Sequence, residues 1–571
     1  MTAPPLSPEV WHLIFENLTT TQDIYNVCLV CHYFQSIATP LLYRSLTVAP
    51  GPEPWLNAQE ISVYEHRLKR LDPSNNDRTD NETARPGLRN WVQEVTFVPS
   101  LFFALRHSDR DHLQGFDRPS PKFIQQSDAP LLALSRLPSL RRVTLTSPQL
   151  QSAEVIDLVA NHPKRPEITL SLRYLSECKF TDRMERYVSN ENGSNDETHA
   201  LRLLLSRVSG LNISVDPFEE THPSRPGHRP NERMLAAQKL FFACPNLRSF
   251  SLSLVGNSGC MERVNWFPLV DSFRFMGTEV FPPLEKLALD GYYIRKLEWA
   301  YWRDGLDWSK LKALTLGPQD SFGLLGRLAG YATSLTTFKV YCYAGEDRAK
   351  DKKGLAKFLG SFDTLKMLDL KGYICVTSAI AHHRNLSTLC LHEDEPRWAG
   401  YRNQRRVLTV EELDLLDKQC PELRDLEVDI RRKDGELPVD VITKLSTFFA
   451  NLQSLSLHFE LGIIDREPIM PTITHETARK IGQMMFDLRR QCGLLADSDP
   501  APYKITLWTG AAYRRTLGMP PSHDGWESKF TNTYEVRLPV DRGNGGHKVE
   551  VRLTKGEGWD PDVRRSETPD L

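Results

Sequence analysis

Two clusters in this chain combine residue types and spacings that could do chemistry. Cys28-Leu29-Val30-Cys31-His32 has the spacing at which c-type haem is attached. His382-His383 together with His392-Glu393-Asp394-Glu395 offers the nitrogen and oxygen ligands of a zinc site. Haem attachment needs export, and the N-terminus lacks a basic segment followed by an apolar core. No further Cys or His pair lies near Cys28–His32 to complete a zinc site there. In the histidine-rich cluster, the side chains should diverge across a strand and cannot share one metal ion. We therefore expect no cofactor and no metal, with both thiols as apolar fillers and the histidine-rich segment as solvated surface.

Three further segments suggest catalysis or nucleic-acid binding only superficially. Gly543-Asn544-Gly545-Gly546 lacks the helix and lysine of a phosphate-binding loop, and Gly256-Asn257-Ser258-Gly259 lacks the glycine spacing of a nucleophile elbow. Arg397–Arg406 contains tryptophan, tyrosine and arginines that could stack on a nucleic acid strand. In a chain of near-neutral charge, such a basic loop is more typical of solvated surface. No nucleophile can be paired with a base, so we expect a protein that is not an enzyme and does not bind nucleic acid.

The composition favours an intracellular protein. The chain has 571 residues, with 71 basic and 73 acidic side chains and a formal net charge of −2. This balance gives no general attraction to nucleic acid or to anionic membranes. No apolar run approaches the roughly 20 residues of a membrane span. The ten cysteines are irregularly spaced, unlike a disulfide framework. We expect a cytoplasmic or nuclear protein, without a membrane partner, built from a few domains or from one extended repeat.

The N-terminal stretch has the pattern of a small helical module. Ser7 can cap a helix that begins at Pro8, whose missing N–H would be unpaired in the first turn anyway. A module of roughly 40 residues buries little surface, so its excess of apolar side chains should be covered by a partner. The alternative is a helical cap on a larger domain that needs no partner. The apolar positions are Val10, Trp11, Ile14, Phe15 and Leu18 in the first helix, and Ile24, Val27, Leu29, Val30, Phe34 and Ile37 in two more.

This pattern resembles the F-box of the substrate adaptors of SCF (Skp–cullin–F-box) ubiquitin ligases. The matching residues are Leu6-x-Pro8-Glu9-Val10, Ile14-Phe15-x-x-Leu18, Asp23-Ile24, Val30-Cys31-x-x-Phe34, and a Pro40–Arg44 ending common in filamentous-fungal members. Ser7 stands where the family usually has proline. The resemblance implies a non-enzymatic adaptor that binds a Skp-type subunit and, through it, cullin. The surface for this subunit would comprise Leu6, Pro8, Val10, Ile14, Leu18 and Val30. The runner-up function is an F-box scaffold that assembles a complex without directing ubiquitination.

Beyond the F-box, a lead-in of Pro-x-Leu-Arg followed by alternating apolar residues recurs from Pro138, Cys244 and Cys420. Looser copies lie between them and after them. From the second copy onward, successive leading leucines are 37, 27, 24, 30, 21, 37 and 29 residues apart. These spacings scatter around those of leucine-rich repeats. We predict one short strand and one returning helix per repeat, with an ordinary α/β domain as the alternative. The leading leucines are Leu247, Leu284, Leu311, Leu335, Leu365, Leu386, Leu423 and Leu452.

The predicted fold class is α/β, with a three-helix F-box, an irregular leucine-rich-repeat solenoid and a C-terminal β-hairpin. The hairpin rests on two alternating segments, from Thr533 and from Lys548, around a glycine-rich turn. The predicted boundaries are 1–48 for the F-box, 49–88 for a linker with a disordered loop, 89–510 for the solenoid with insertions near 187–199 and 216–233, 511–555 for the hairpin region and 556–571 for a tail.

Strand alternation also predicts a surface for a protein client. Positions two, four and six after each leading leucine should leave the core and face outward. Three carboxylates in alternating positions of one strand should repel one another and add nothing to folding, which hints at a basic segment in the client; plain solubility is the alternative. The predicted client-binding residues are Lys339, Tyr341, Lys371, Asp425, Glu427 and Asp429.

Overall fold

The computed structural model describes only part of the chain, and this part falls into two compact units. The first unit comprises Met1–Asn257 with Leu269–Leu284, and the second comprises Ser258–Pro268 with Glu285–Leu571. None of the described helices combines the length and the apolarity of a membrane span. The described residues are 6–18, 20–48, 90–97, 134, 137–146, 153–173, 196–215, 232–254, 273–292, 294–317, 321–341, 348–371, 377–393, 407–432, 435–460, 473–495, 503–509, 532–538 and 549–555.

The first unit begins with three short helices, as the sequence predicts, and continues as alternating strands and helices. Its helices are α1 (Pro8–Glu16), α2 (Thr21–Cys28), α3 (His32–Leu42), α4 (Ala153–Ala160), α5 (Asp196–Ser206) and α6 (Glu232–Ala243). Its strands are β1 (Ser45–Val48), β2 (Glu94–Phe97), β3 (Arg142–Thr146), β4 (Glu167–Arg173), β5 (Val208–Val215) and β6 (Ser249–Leu254). Each strand pairs in parallel with the next.

Local chemistry fixes the starts of the first two helices in different ways. α1 begins at Pro8 and Ser7 occupies its N-cap position, as predicted, but the side chain of Ser7 accepts no capping hydrogen bond. The Ser7 hydroxyl instead bonds to Glu9 and lowers the pKa of that carboxyl. α2 is capped by Thr20, whose hydroxyl oxygen accepts from the backbone N–H of Asp23 at 3.0 Å. The break between the two helices therefore depends on Thr20, which satisfies one of the unpaired donors at the start of α2.

The second unit repeats the strand and helix alternation over a longer stretch. Its strands are β7 (Lys286–Asp290), β8 (Ala313–Leu316), β9 (Thr337–Tyr341), β10 (Met367–Lys371), β11 (Thr388–His392), β12 (Asp425–Ile430), β13 (Ser454–Phe459), β14 (Lys504–Thr509), β15 (Asn532–Arg537) and β16 (Glu550–Lys555). Its helices are α7 (Lys296–Gly305), α8 (Ser321–Leu328), α9 (Arg348–Leu359), α10 (Thr377–Ile380), α11 (Val410–Gln419), α12 (Val439–Thr447) and α13 (His475–Gln491), with a 3₁₀ turn at Trp308–Lys310.

Parallel pairing runs from β7 to β14, and one apolar position per strand is aligned across it. Successive helices from α8 to α13 contact one another. Aromatic rings also pack between strands and helices, and the ring centroids of Phe338 in β9 and Phe358 in α9 are 5.1 Å apart. The predicted leading leucines are all buried, as are the leucines three residues after five of them, Leu287, Leu314, Leu368, Leu426 and Leu455. The aligned residues are Leu287, Leu314, Phe338, Leu368, Leu389, Leu426, Leu455 and Ile505.

The predicted C-terminal hairpin is confirmed, because β15 pairs antiparallel with β16. β15 also pairs antiparallel with β14, so the hairpin continues the pairing of the parallel strands. A strand does not need the Pro-x-Leu lead-in: β1, β4, β5 and β14 lack it and were not predicted. β1 pairs with β2, so strand pairing starts at Ser45, inside the predicted F-box span. The predicted insertions end in helices, since Asp196 starts α5 and Glu232 starts α6.

Several predicted segments lie outside the described residues. They are the linker 49–88, the tail 556–571, the two glycine-rich loops at 256–259 and 543–546, and the basic segment Arg397–Arg406.

The alternation along β13 generates a stability prediction. Leu455→Ala removes a fully buried side chain and should lower the free energy of unfolding by about 2 to 5 kcal/mol. Its neighbour Ser456 is half-buried on the other side of the strand, and Ser456→Ala should change stability by less than about 1 kcal/mol. Urea denaturation followed by circular dichroism measures both. Equal losses for the two variants would contradict the register of this strand.

Candidate functional site

The three N-terminal helices enclose a small core of their own. Phe15 is buried with Ile37 and Ala38. The ring of Phe34 lies 4.6 Å from that of Trp11 and meets Phe15 edge-on at 5.3 Å. The remaining core contacts are made by Leu18, Ile24, Val27, Cys28 and Leu41. An ion pair between Arg44 and Glu16 at 3.1 Å joins the end of α3 to the end of α1.

The same helices carry a second set of apolar side chains that point away from this core. In α1, Trp11 and Phe15 face inward, whereas Leu13 is 60% exposed and its neighbour Ile14 41% exposed. A nine-residue helix with apolar residues on both sides has more apolar surface than its own module can cover. We call the following residues the outer apolar face: Leu6, Val10, Leu13, Ile14, Tyr25, Leu29, Val30 and Tyr33.

Most of the predicted partner-binding residues lie on this surface. Leu6, Val10, Ile14 and Val30 belong to the outer apolar face, and Pro8 is exposed at the start of α1. Leu18 is an exception, because it is half-buried against the module core. The prediction also missed four members of the face. Leu13, Leu29, Tyr25 and Tyr33 were apolar or aromatic in the sequence, but only the packing shows which side of each helix they occupy.

The two cysteines of the C-x-x-C-H segment play different roles. Cys28 is half-buried and packs on the module core, as predicted. Cys31 is exposed, so the prediction that it fills the core is wrong. Its sulfur lies 3.5 Å from the backbone N–H of Phe34, at the N-cap position of α3. The free thiol therefore helps to start the third helix.

A second candidate site lies in the second unit, on the side of β9 to β14 opposite the aligned leucines. We call it the polar face. Pairing aligns one row of residues across it, and a further row lies two residues on. The first row is Lys339, Asp369, Cys390, Glu427, Ser456 and Thr506. The second row contains Tyr341, Lys371, His392, Asp429, His458 and Trp508.

At the centre of the polar face, His392 contacts the carboxylate of Asp429, and His458 stacks on His392. Nδ1 of His392 lies 2.8 Å from Oδ1 of Asp429, and the backbone N–H of Glu393 donates to Oδ2 at 2.6 Å. The imidazole of His458 stacks on His392 with 4.0 Å between ring centroids and on Trp508 with 5.4 Å. These contacts leave the Asp429 side chain with no exposed surface. A buried carboxylate needs such partners, because its desolvation is otherwise costly.

The pKa shifts of His458 and Glu427, a neighbouring pair on the polar face, indicate the charge of each side chain. Nε2 of His458 lies 2.9 Å from Oε1 of Glu427. Burial lowers the pKa of His458, and the hydrogen bond to Glu427 offsets this only in part. Burial acts to raise the pKa of Glu427, but His458 and Lys371 outweigh it and keep that pKa low. At neutral pH the pair is therefore a neutral imidazole donating to an ionised carboxylate. Nδ1 of His458 is buried without a hydrogen-bond partner among the described residues.

The predicted client-binding residues all lie on the polar face, but they are not equally accessible. Asp425 is exposed, Lys339, Tyr341 and Lys371 are half-buried, and the ammonium of Lys371 sits 5.9 Å from the Tyr341 ring. The prediction that the three carboxylates add nothing to folding is wrong. Asp429 and Glu427 are bound by histidines, and Asp425 accepts from the Thr388 hydroxyl at 3.1 Å. These partners lie on neighbouring strands, so the sequence of β12 alone does not reveal them.

The predicted solvated surface at the histidine-rich segment is also wrong for three of its members. His392 and Glu393 are buried beside Asp429, and His383 has no exposed surface, with its ring centroid 5.3 Å from that of Phe362. Burial lowers the pKa of His383 to about 4, so it is neutral at physiological pH. Asp394 and Glu395 lie outside the described residues. Within the described ranges, no group of three potential metal ligands comes together.

The thiol of Cys390 on the polar face is a poor nucleophile. Burial, Glu427 and Asp369 all raise the pKa of Cys390, which therefore stays protonated.

The sequence does contain a signal for the group formed by His392, Asp429 and His458. His392, Asp429 and His458 each stand six residues after a leading leucine of consecutive repeats, and the sequence prediction used only the middle one.

Comparison with known proteins identifies the N-terminal module. A family model of the F-box-like domain matches residues 8–49, which span α1 to α3 and β1. No curated protein matches the chain. The chain therefore carries an F-box-like domain at its N-terminus, followed by α/β structure.

The buried imidazole on the polar face predicts a pH dependence of stability. Because the pKa of His458 is lowered from its ordinary 6.5, the unfolded chain binds more protons than the folded chain below that pH. Its contribution to the free energy of unfolding is complete above pH 6.5 and is lost as the pH falls. His458→Gln, which can still donate to Glu427, should flatten this decline. Urea titrations at several pH values between about 5 and 8 measure the slope.

The matched control is His382→Gln, since His382 is an exposed histidine of the same unit. It should leave the slope unchanged. If His458→Gln and wild type lost stability equally on acidification, the neutral state assigned to His458 would be incorrect.

Proposed function

We propose that this protein is a substrate-recognition adaptor of an SCF-type ubiquitin ligase. The observation that carries the proposal is the outer apolar face, whose residues lie in the module matched as F-box-like, except for Leu6 just before it. An exposed patch of this kind on a small module is typical of a protein interaction site. F-box domains typically bind Skp-type subunits, and we assign the outer apolar face to that contact. Through this subunit the chain would join a cullin, in the cytoplasm or nucleus.

In this proposal the protein does no covalent chemistry itself. It holds a client near the ubiquitin-charged enzyme bound elsewhere on the complex. Positioning alone can supply a large rate enhancement, because an intermolecular transfer becomes effectively intramolecular. This role agrees with the protonated thiol of Cys390 and with histidines that already form hydrogen bonds to Asp429 and Glu427. We further propose that the strand and helix units are degenerate leucine-rich repeats of an adaptor of the fungal type.

We assign client recognition to the accessible part of the polar face. Lys339 and Tyr341 of β9, Lys371 of β10 and Asp425 of β12 present cationic, aromatic and anionic groups. Asp429 is excluded from direct contact because it is fully buried, and we assign it the role of positioning His392. Charges at such a surface act mainly on association rate and specificity.

The outer apolar face generates a binding prediction. The double variant Ile14→Ala, Val30→Ala should bind a purified Skp-type subunit at least about ten-fold more weakly than wild type. The physical reason is that burying an aliphatic side chain contributes roughly 1.5 to 3 kcal/mol. Both residues are exposed in the free chain, so the fold should be retained. Isothermal titration calorimetry measures the affinity, and circular dichroism verifies the fold.

Val439→Ala is the matched control, because Val439 is equally apolar and 58% exposed in the second unit. Its affinity should equal that of wild type. Unchanged affinity in the double variant would remove the outer apolar face as the docking surface.

The polar face generates a prediction about the client. In cells lacking the protein, a client should accumulate, and wild type should restore its turnover. Asp425→Lys should fail to restore turnover while still recovering the Skp-type subunit and cullin, because it reverses one exposed charge of the polar face. Glu422→Lys, an exposed charge in the preceding turn, is the control and should restore it. Quantitative proteomics provides the readout.

Two outcomes would contradict the adaptor function or its client surface. Restoration by Asp425→Lys would exclude the polar face. If cullin were absent from the purified complex and nothing accumulated, the protein would instead be an F-box scaffold.

A further inference from the structure

A groove of about 670 Å³ opens on the helix side of the second unit, away from the polar face. It lies beside α10, between the turn that precedes β10 and the last turns of α11. A volume of this size is within the range of ligand-binding pockets. The groove is lined by Asp363, Ser378, Ala381, His382, Arg384, Asn385, Leu415 and Gln419.

The groove follows from the length of one repeat. Leu365 and Leu386 are 21 residues apart, the shortest spacing between successive leading leucines. Only a four-residue helix, α10, fits in this repeat, whereas α9 has 12 residues and α11 has 10. At a rise of about 1.5 Å per residue, α10 spans roughly 6 Å and its neighbours roughly 15 to 18 Å. Because α10 packs between α9 and α11, its shortness leaves a gap between them.

The base of the groove is held in place by contacts outside it. The Thr377 hydroxyl, at the start of α10, donates to Oε1 of Glu412 in α11 at 2.8 Å. Glu412 is itself fixed by its capping box with Thr409. On the other side, the buried His383 packs against Phe362. The groove is therefore a formed feature of the repeat.

The walls carry opposite charges that do not neutralise each other. Asp363 and Arg384 are both exposed, and neither forms an ion pair within the described part of the chain. The neutral His383 below adds no charge to the floor. Ser378, Asn385 and Gln419 add hydroxyl and amide groups between the charged residues. These groups can both donate and accept hydrogen bonds.

We propose that this groove binds a short peptide segment carrying one acidic and one basic side chain. Arg384 would hold the carboxylate through its fork of N–H donors, and Asp363 would hold the cation. The amides of Asn385 and Gln419 match the donors and acceptors of a peptide backbone. Leu415 supplies an apolar wall for the aliphatic stems of long charged side chains. The proposal does not depend on the F-box or on ubiquitin transfer.

The test uses the full chain and fluorescein-labelled alanine peptides that contain one Glu and one Lys. The peptides cover several separations of the two charges in both orders. Each has a twin with Gln at both charged positions. Fluorescence anisotropy at low salt should show at least one mixed-charge peptide binding about ten-fold or more tightly than its twin, since hydrogen bonds to charged groups are the stronger ones.

Variants then locate the binding. Arg384→Gln and Asp363→Asn should each weaken the best peptide about five-fold or more, since each removes one charged partner. Lys366→Gln is the control, because Lys366 is exposed close to Asp363 in the chain but does not line the groove. Equal binding of every mixed-charge peptide and its twin would overturn the proposal, and so would affinities unaffected by both groove variants. The comparison of twins on the wild-type protein decides the charge requirement even if a variant misfolds.

Discussion

The alignment of apolar residues across β7 to β14 fixes the strand register of the second unit. Each of these parallel strands places a leucine, phenylalanine or isoleucine opposite the corresponding residue of the next strand, on the side that the helices cover. A slip of one residue would turn these side chains outward and would bury Lys339, Asp369 or Glu427 against the helices. Such a slip loses apolar burial and adds unpaired charge, so the register is strongly specified.

This register also decides what the polar face can do. It brings His392, Asp429 and His458 from three consecutive strands into one hydrogen-bonded and stacked group. The histidines and Asp429 are therefore committed to the fold. The client recognition that we propose is assigned to the more accessible side chains around them, those of Lys339, Tyr341, Lys371 and Asp425. In the first unit, by contrast, the exposed groups that we assign to a partner are apolar. There the module core uses one side of each short helix, and the apolar residues of the other side remain at the surface.

The sequence was most informative where the signal is local. Pro8 and the apolar spacing after it predict α1, and the Pro-x-Leu lead-in predicts β3, β6 and β12. Looser copies of the lead-in predict β7 to β11 and β13, and two alternating segments around a glycine-rich turn predict β15 and β16. Strands with neither signal, such as β14, were missed because a short apolar alternation occurs in many other segments. The partners of Asp429 could not be predicted from its own strand, since His392 and His458 are distant in the chain and meet only through strand pairing. The groove beside α10 depends on a difference in helix length, for which the short spacing from Leu365 to Leu386 was the only signal.

Residue-resolved carbene footprinting of the full chain would show whether a Skp-type subunit covers the outer apolar face, as we propose. Labelling would be compared at Leu13, Ile14, Leu29 and Val30 with and without the purified subunit, using the exposed Val439 as the internal reference. We expect the labelling of all four residues to fall strongly in the complex while that of Val439 stays constant. Unchanged labelling of the four residues, with the subunit demonstrably bound, would contradict it.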